Sequence, residues 1–225
     1  MKISIVTKTV VPDIALIDPE TTTSMSDELT AATGLDALVH AIEAYVSNAS
    51  SSFTDLNALA AIPLLSGNLR AVIDNPKDIQ ARSCMMQGSL LAGMAFSNAS
   101  LGLVHAMAHS LGGLLNLPHG LCNAVLLEHV VAFNFPAAGE RYRRIAMAMG
   151  LDVESMPLDE CRDLLLQGIA DLRKLAGITT TIGAMGIQRE NIPRLAANAH
   201  NDPFIVTNPR HASIEAIEAI LEQAF

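Results

Sequence analysis

The chain has 225 residues, half of them hydrophobic, and it carries a formal net charge of −9 at neutral pH. It contains no basic stripe that could neutralise phosphates, so we expect no nucleic-acid partner. Aromatic residues make up 4% of the chain and tryptophan is absent, which favours closely packed helices over a sandwich or a barrel.

Three features point to a cytoplasmic protein. The three cysteines, Cys84, Cys122 and Cys161, are odd in number, lack metal-site spacing and have apolar neighbours. We interpret them as reduced core thiols, with a disulfide pair as the alternative. The N-terminal segment does not resemble a signal peptide. The longest apolar run, residues 84–115, is interrupted by polar residues and glycines, so we expect no membrane span.

The first 18 residues differ from the rest of the chain. The runs ISIV at 3–6 and DIALID at 13–18 predict short strands. No later segment offers a clear strand for them to pair with, and two strands alone are marginally stable. We therefore interpret residues 1–18 as residual strands of another domain, or as strands that pair in another molecule, and residues 19–225 as one helical domain.

From about residue 21 the pattern predicts helices throughout. Serine and threonine ahead of Asp27 form a capping signal for a first helix, which we expect Gly34 to interrupt. Gly150 and Gly177 are expected to end helices. The remaining predicted helices cover residues 35–46, 53–73, 77–96, 101–115, 119–133, 136–149, 158–175, 188–200 and 212–224.

The segment GLDALVHAIEAY, residues 34–45, contains the first candidate site. Asp36 and His40 are four residues apart and therefore share one helix face, which Glu43 continues. For this pair alone, the ordinary interpretation is a solvated stripe on an amphipathic helix.

The segment GLVHAMAHSLGGLLNLPHG, residues 102–120, is more informative. The predicted helix is apolar nearly all round, so it offers no evident solvent-exposed face for His105 and His109. Each imidazole either bonds a backbone carbonyl separately or ligates a metal. The turn marked by Pro118 can bring His119 back beside His105. Imidazoles with a carboxylate suit divalent iron or zinc, and the residues by themselves leave both interpretations open.

A family resemblance adds to this picture. The segments GLDALVHAIEAYVS, LAGMAFSNASLGLVHAMAHSLGGLLNLPHG and TNPR resemble the iron-containing (group III) alcohol dehydrogenases, and the likeness runs through nearly the whole chain. In that family a Rossmann-like N-terminal domain holds NAD(P), and an all-helical C-terminal domain holds a divalent metal. The resemblance implies an all-α, multi-helix C-terminal domain of the dehydroquinate-synthase-like/iron alcohol dehydrogenase fold, with a short N-terminal β remnant.

The resemblance also implies site residues and an activity. Its metal ligands map onto Asp36, His40, His105 and His119, which would hold Fe(II), with Zn(II) as the alternative. His109 matches a histidine near the substrate and the nicotinamide, and is the candidate catalytic residue. The implied activity is reversible hydride transfer between a small alcohol, oxidised to an aldehyde or ketone, and NAD(P).

The phosphate-binding loop of the family is not found in this sequence. Neither GGGS nor GxGxxG occurs, so we expect NAD(P) to bind only with a further N-terminal domain, and the chain alone to be inactive. The alternative is a non-catalytic helical module that dimerises or docks on a full-length homologue, and a homo-oligomer is compatible with either. A glycerol-dehydrogenase-like or dehydroquinate-synthase-like relative shares the fold but fits less well, because those proteins use a three-ligand zinc site.

The remaining expectations concern residues near the proposed site. Leu101, Leu103 and Met107 are expected to line a pocket for small apolar alcohols. The loop 201–210 is expected to be a structural connection, since relatives often carry Lys-Asp where this chain has Asn201 and Asp202. Among the other histidines, His200 could approach the cleft, and we interpret two as structural, His129 and His211.

Overall fold

The structure, a computed structural model, describes residues 7–225. Within that range the chain is helical and contains no strand, which confirms the predicted fold class. The α-helices are α1 (Asp27–Val46), α2 (Ser52–Asp74), α3 (Ile79–Ala99), α4 (Leu103–Leu115), α5 (His119–Ala148), α6 (Leu158–Leu175), α7 (Ile192–His200) and α8 (Ile214–Gln223). Short 3₁₀ turns cover Lys8–Val10, Pro19–Thr22, Arg189–Asn191 and Pro203–Thr207.

The helix starts follow from local capping chemistry. The Ser26 hydroxyl accepts a hydrogen bond from the Leu29 amide and opens α1. Ser51 forms a capping box with Thr54 at the start of α2. Asp78 accepts from two backbone amides at the start of α3. Each cap satisfies amide groups that have no partner within the helix.

The predicted break at Gly34 is wrong, because α1 runs through it without interruption. A Cβ at Gly34 would lie 2.8 Å from the Leu69 side chain and 2.9 Å from that of Met85. The glycine therefore allows α1 to lie close against α2 and α3. Helix packing, which the local pattern does not contain, explains its presence.

The two helices predicted at 119–133 and 136–149 form one long, kinked helix, α5. Pro136 lies inside it, and Ala138 has non-helical angles, with φ −135° and ψ 29°. A proline removes one backbone hydrogen bond and bends a helix without always ending it. Gly150 and Gly177 do follow helix ends, with φ of +85° and +72°, as predicted.

The structure describes only part of the segment predicted to form N-terminal strands. Residues 3–6 lie outside the described residues. Residues 13–18 form no strand, and Ile14 and Leu16 are 85% and 89% exposed. Extended segments need a neighbouring strand to satisfy their backbone groups, and residues 7–225 supply none. The division into residues 1–18 and 19–225 stays a prediction.

The core forms around α1, which packs against α2, α3 and α5, while α4 packs against α5 and α7. Cys122 and Cys161 are buried, as expected for core residues, and Cys84 is partly buried. Two helices, α2 and α5, have the length and hydropathy of a membrane span, but both pack within this bundle. The long apolar run, residues 84–115, is divided between α3 and α4, and the chain bends by 100° between these two helices.

Candidate metal centre

Side chains from α1 and α4 bring three possible metal ligands together. The candidate ligand atoms of Asp36, His40 and His105 all lie within 4.8 Å of one another. The two α1 residues are one helical turn apart, and His105 lies in the first turn of α4, nearly completely buried. Asp36 and His40 are partly buried, and grouping such polar side chains with a buried imidazole is costly unless they share a partner.

The fourth predicted ligand comes from the start of α5. The Nε2 atom of His119 lies 3.8 Å from Oδ1 of Asp36, and Nε2 of His105 lies at the same distance from that oxygen. The Asp36 carboxylate therefore faces both imidazoles. The structure brings all four predicted ligands, Asp36, His40, His105 and His119, to one cluster, which we call the ligand cluster.

A glycine permits this approach of α5 to α1. A Cβ at Gly120 would overlap the Ala32 carbonyl oxygen and would lie 3.3 Å from Cβ of Asp36. The first turn of α5 can therefore lie against α1 only if this position has no side chain. The contact places His119, the preceding residue, beside Asp36.

Glu43 holds His105 from the side opposite the ligand cluster. Its Oε2 lies 2.6 Å from Nδ1 of His105, and its Oε1 accepts a 2.7 Å hydrogen bond from the Val104 amide. Burial raises the pKa of Glu43 to about 7, against the lowering effect of hydrogen bonds from backbone amides, that of Val104 first among them. Burial also lowers the pKa of His105 to about 3. A neutral His105 donates Nδ1–H to Glu43 and keeps a lone pair on Nε2.

His40 is enclosed by aromatic rings. Its imidazole stacks on Phe96 and on His105, with ring centroids 4.5 Å and 4.6 Å apart. Burial, followed by the charge of His105, lowers the pKa of His40 to about 4. His40 and His105 are therefore neutral near pH 7, which is the form that binds a metal.

His109 lies beside the ligand cluster and has a partner of its own. Its Nδ1 lies 2.9 Å from Oδ2 of Asp202, and its ring stacks on that of His119 with centroids 5.4 Å apart. Burial raises the pKa of Asp202, but hydrogen bonds from His109 and the Phe204 amide outweigh it, and the net direction is downward. An ionised Asp202 orients the imidazole of His109.

The loop 201–210 contacts the start of α4, the helix that carries His105 and His109. Oδ1 of Asn208 accepts a 3.1 Å hydrogen bond from the Leu103 amide, and its amide group exchanges hydrogen bonds with Asn134. Thr207 donates to the Leu101 carbonyl at 2.6 Å. These contacts support the structural role expected for the loop, and they hold the start of α4, where His105 lies.

The apolar residues expected to line a substrate pocket do not do so. Leu101, Leu103 and Met107 are 3%, 0% and 1% exposed, and so form core. On α4, the last two are offset from His105 by two residues, which is about 200° around the helix axis. They therefore face away from the ligand cluster.

The other histidines have separate environments. His200 donates from Nδ1 to the Ala212 carbonyl at 3.2 Å, so a backbone partner accounts for it. His129 lies 3.5 Å from Glu128, and burial lowers its pKa. His211 is exposed.

Sequence reasoning missed several residues of the site. Glu43 was assigned to a solvated stripe but is 4% exposed. Asp202 was assigned no role at the site. Asn123, which had drawn no attention, lies within hydrogen-bond distance of three of the predicted ligands. Helical spacing could have identified two of these residues. Glu43 follows His40 by three residues and Asn123 follows His119 by four, so each shares a helix face with a predicted ligand.

Comparison with known proteins decides the family. The sequence profile of the Fe-containing alcohol dehydrogenase family, C-terminal, matches residues 30–225. The chain belongs to this family. The resemblance found in the motifs is thereby confirmed, and the helical bundle is the C-terminal helical domain of the family's fold.

Curated and solved relatives agree with this assignment. Lactaldehyde reductase of Escherichia coli strain K12 is 41% identical over 215 residues, which cover 96% of this chain and 56% of that protein. Alcohol dehydrogenase 4 of Saccharomyces cerevisiae strain ATCC 204508 / S288c is 41% identical over 227 residues, with coverage of 100% and 58%. The crystal structure of a 1,3-propanediol oxidoreductase matches with a TM-score of 0.91 and 42% identity, covering 92% of this chain and 55% of that one. The chain thus spans little more than half the length of these relatives.

Proposed function

We propose that this chain is the metal- and substrate-binding part of an NAD(P)-dependent alcohol dehydrogenase that interconverts a small alcohol and its aldehyde or ketone. The observation that carries the proposal is the convergence of Asp36, His40 and His105, whose ligand atoms lie within 4.8 Å of one another. The names of its relatives, a lactaldehyde reductase and a 1,3-propanediol dehydrogenase, support a small, oxygen-bearing substrate.

The chemistry of the cluster fits a divalent metal. One carboxylate and three imidazoles, with no thiolate, form a donor set suited to iron or zinc. Burial keeps His40 and His105 neutral near pH 7, so their lone pairs are available. Glu43 accepts from Nδ1 of His105, an arrangement typical of metal-binding histidines. We propose Asp36, His40, His105 and His119 as the ligands, with Fe(II) as the family's metal and Zn(II) as the alternative.

A divalent metal held by Asp36, His40, His105 and His119 would act as a Lewis acid and would lower the pKa of an alcohol hydroxyl. The chain contributes the surroundings. Phe96 covers one face of His40, and the ring centroid of Phe204 lies 5.6 Å from that of His109, so aromatic side chains limit the access of water to this side of the cluster. This shielding strengthens electrostatic interactions at the cluster.

His109 is placed to handle the hydroxyl proton. It lies beside the cluster, its ring stacks on His119, and its Nδ1–H donates to Asp202. That hydrogen bond leaves Nε2 of a neutral His109 as the proton acceptor. We propose that Nε2 of His109 takes up the proton during alcohol oxidation and returns it during carbonyl reduction.

The hydride acceptor would be held by a separate nucleotide-binding domain, because the sequence contains no phosphate-binding glycine loop. The 225-residue chain alone is expected to show no NAD(P)-dependent turnover. Turnover by the isolated chain would contradict this part of the proposal.

Metal content is the first test. The chain is purified without oxygen or chelator, supplied with Fe(II) or Zn(II), and measured by plasma mass spectrometry. We expect about one equivalent of metal per chain, and its loss in the His105→Ala and His119→Ala variants. The matched control is His211→Ala, which removes an exposed histidine and should keep the metal. A parent chain that binds no metal would contradict the proposal.

A second candidate function is a non-catalytic module that dimerises or docks on a homologue. The observation that favours it is the exposed apolar N-terminal segment, in which Val10, Val11, Ile14 and Leu16 are 65%, 68%, 85% and 89% exposed. Light scattering coupled to size-exclusion chromatography measures the molar mass in solution and so tests for self-association. A monomer at high concentration would count against a dimer.

A further inference from the structure

The Asn123 side chain points into the ligand cluster. It lies on α5, four residues after His119, and is completely buried. Its Nδ2 lies 2.5 Å from Oδ1 of Asp36 and 3.1 Å from Nε2 of both His105 and His119. One amide nitrogen thus contacts three of the four proposed ligands at the atoms that would bind the metal.

The orientation of this amide follows from its partners. In the opposite orientation, Oδ1 of Asn123 would lie 2.5 Å from a carboxylate oxygen of Asp36, and two acceptors would face each other. With the nitrogen inward, Oδ1 has no hydrogen-bond partner within residues 7–225. The side chain leaves its own acceptor unsatisfied while its N–H groups reach the cluster, which is uncommon for a buried amide.

The three contacts are not equivalent once the imidazoles act as ligands. An imidazole that binds a metal through Nε2 has no lone pair left there to accept a hydrogen bond. A carboxylate oxygen has a second lone pair and still accepts. The hydrogen bond from Asn123 to Asp36, the shortest of the three, is therefore the one that is chemically compatible with metal binding by the imidazoles.

We propose that Asn123 is a positioning residue of the metal site, which holds the Asp36 carboxylate turned toward His105 and His119. The proposal rests on the proposed function, since it requires that the cluster bind a metal. Glu43 performs the corresponding task for His105. A carboxylate that carries a hydrogen bond at one lone pair keeps a single orientation for the metal, and loss of such an outer contact costs metal affinity.

The test compares two substitutions that keep the branching of the side chain at Cγ. Asn123→Leu removes the hydrogen bonds, and Asn123→Asp replaces the donor by an acceptor that repels Asp36. Both should lower the affinity for Zn(II), measured by competition with a chromophoric chelator, by about 10- to 100-fold. The control is Asn57→Leu, because Asn57 is a buried asparagine on α2 that donates to its own helix at Phe53. Its affinity should match the parent's.

The Co(II) absorption spectrum separates positioning from direct ligation. A positioning residue leaves the set of ligands unchanged, so the loaded Asn123→Leu protein should show the parent's band positions and intensities. An altered coordination number in that variant, or tighter binding by Asn123→Asp, would identify a direct ligand and overturn the proposal.

Failure of this inference is distinguishable from failure of the proposed function. If the parent binds no Zn(II) or Co(II), the metal site itself is refuted. If the parent binds and Asn123→Leu binds equally well while remaining folded by circular dichroism, only the role of Asn123 is refuted.

Discussion

Glu43 and His105 form a buried pair, with Oε2 of the carboxylate 2.6 Å from Nδ1 of the imidazole and side chains 4% and 1% exposed. The same carboxylate accepts from the Val104 amide at the start of α4. Glu43 on α1 therefore anchors the start of α4 and orients one of its proposed ligands. Two helices that carry different parts of the ligand cluster are joined at this point.

Substitution of Glu43 should separate these two tasks. Glu43→Gln keeps an acceptor for one N–H but loses the charge, so we expect a folded protein with roughly 10-fold weaker metal binding. Glu43→Ala leaves the His105 and Val104 N–H groups buried without an acceptor, which costs about 1–3 kcal/mol for each unsatisfied group. Chelator competition and urea unfolding measure the two effects. Unchanged affinity in both variants would contradict the orienting role.

The close contact at Gly120 predicts a sensitive position. Gly120→Ala forces α5 away from the Ala32 carbonyl of α1, so we expect a loss of about 1–3 kcal/mol in unfolding free energy, together with weaker metal binding. The matched control is Gly67→Ala in α2, where an added Cβ meets nothing within 4 Å. That change should stabilise the helix by about 0.5–1 kcal/mol. Equal unfolding free energies of the Gly120→Ala and Gly67→Ala variants would show that the contact between α5 and α1 does not exclude a side chain at position 120.

Removal of His109 should leave the metal in place. In the proposed site His109 is outside the ligand set and bonded to Asp202. We expect His109→Ala and Asp202→Asn to bind as much Zn(II) as the parent, in contrast to His105→Ala. Plasma mass spectrometry measures this difference. Loss of metal in both variants would move His109 into the ligand set.

The metal-free protein should lose stability in acid because of its buried histidines. Burial lowers the pKa of His40 to about 4 and that of His105 to about 3, so the unfolded chain takes up these protons first, near pH 6.5. Unfolding free energy therefore falls as pH drops from about 6.5 toward 4. Urea titrations at a series of pH values measure the slope. A flat profile over this interval would contradict the prediction.

Glu43 opposes this trend over part of the range. Burial raises its pKa to about 7 from 4.5, so between these values the folded state holds a proton that the unfolded state has lost. The stabilisation that Glu43 contributes to the folded state is fully present below pH 4.5 and is lost as the pH rises through 7. The net slope should then correspond to about one proton between pH 6.5 and 4.5, and to about two just below 4.5. Glu43→Gln should remove the difference between the two intervals.

Several features were accessible from the sequence because they depend on neighbours along the chain. The spacing of Asp36 and His40 places both on one helix face, and an apolar helix predicts a buried His105. Serine caps, together with Gly150 and Gly177, locate helix ends. The motifs around these residues identify the family, which the profile match confirms.

Other features depended on contacts between distant segments, and only the tertiary structure decided them. Gly34 looked like a helix break, but α2 and α3 pack against it. Glu43 looked solvent-exposed, but α4 covers it and supplies its hydrogen bonds. Asp202 lies 93 residues from His109 along the chain, yet the two are hydrogen-bonded.

The sequence by itself determined the helical class, the family and four candidate ligands, because helical periodicity and short motifs are local properties. The tertiary structure decided which polar groups surround those ligands. Glu43, Asn123 and Asp202 gain their roles from burial and from partners on other helices, and the free energy of a buried polar group depends on the partner that it finds in the folded chain.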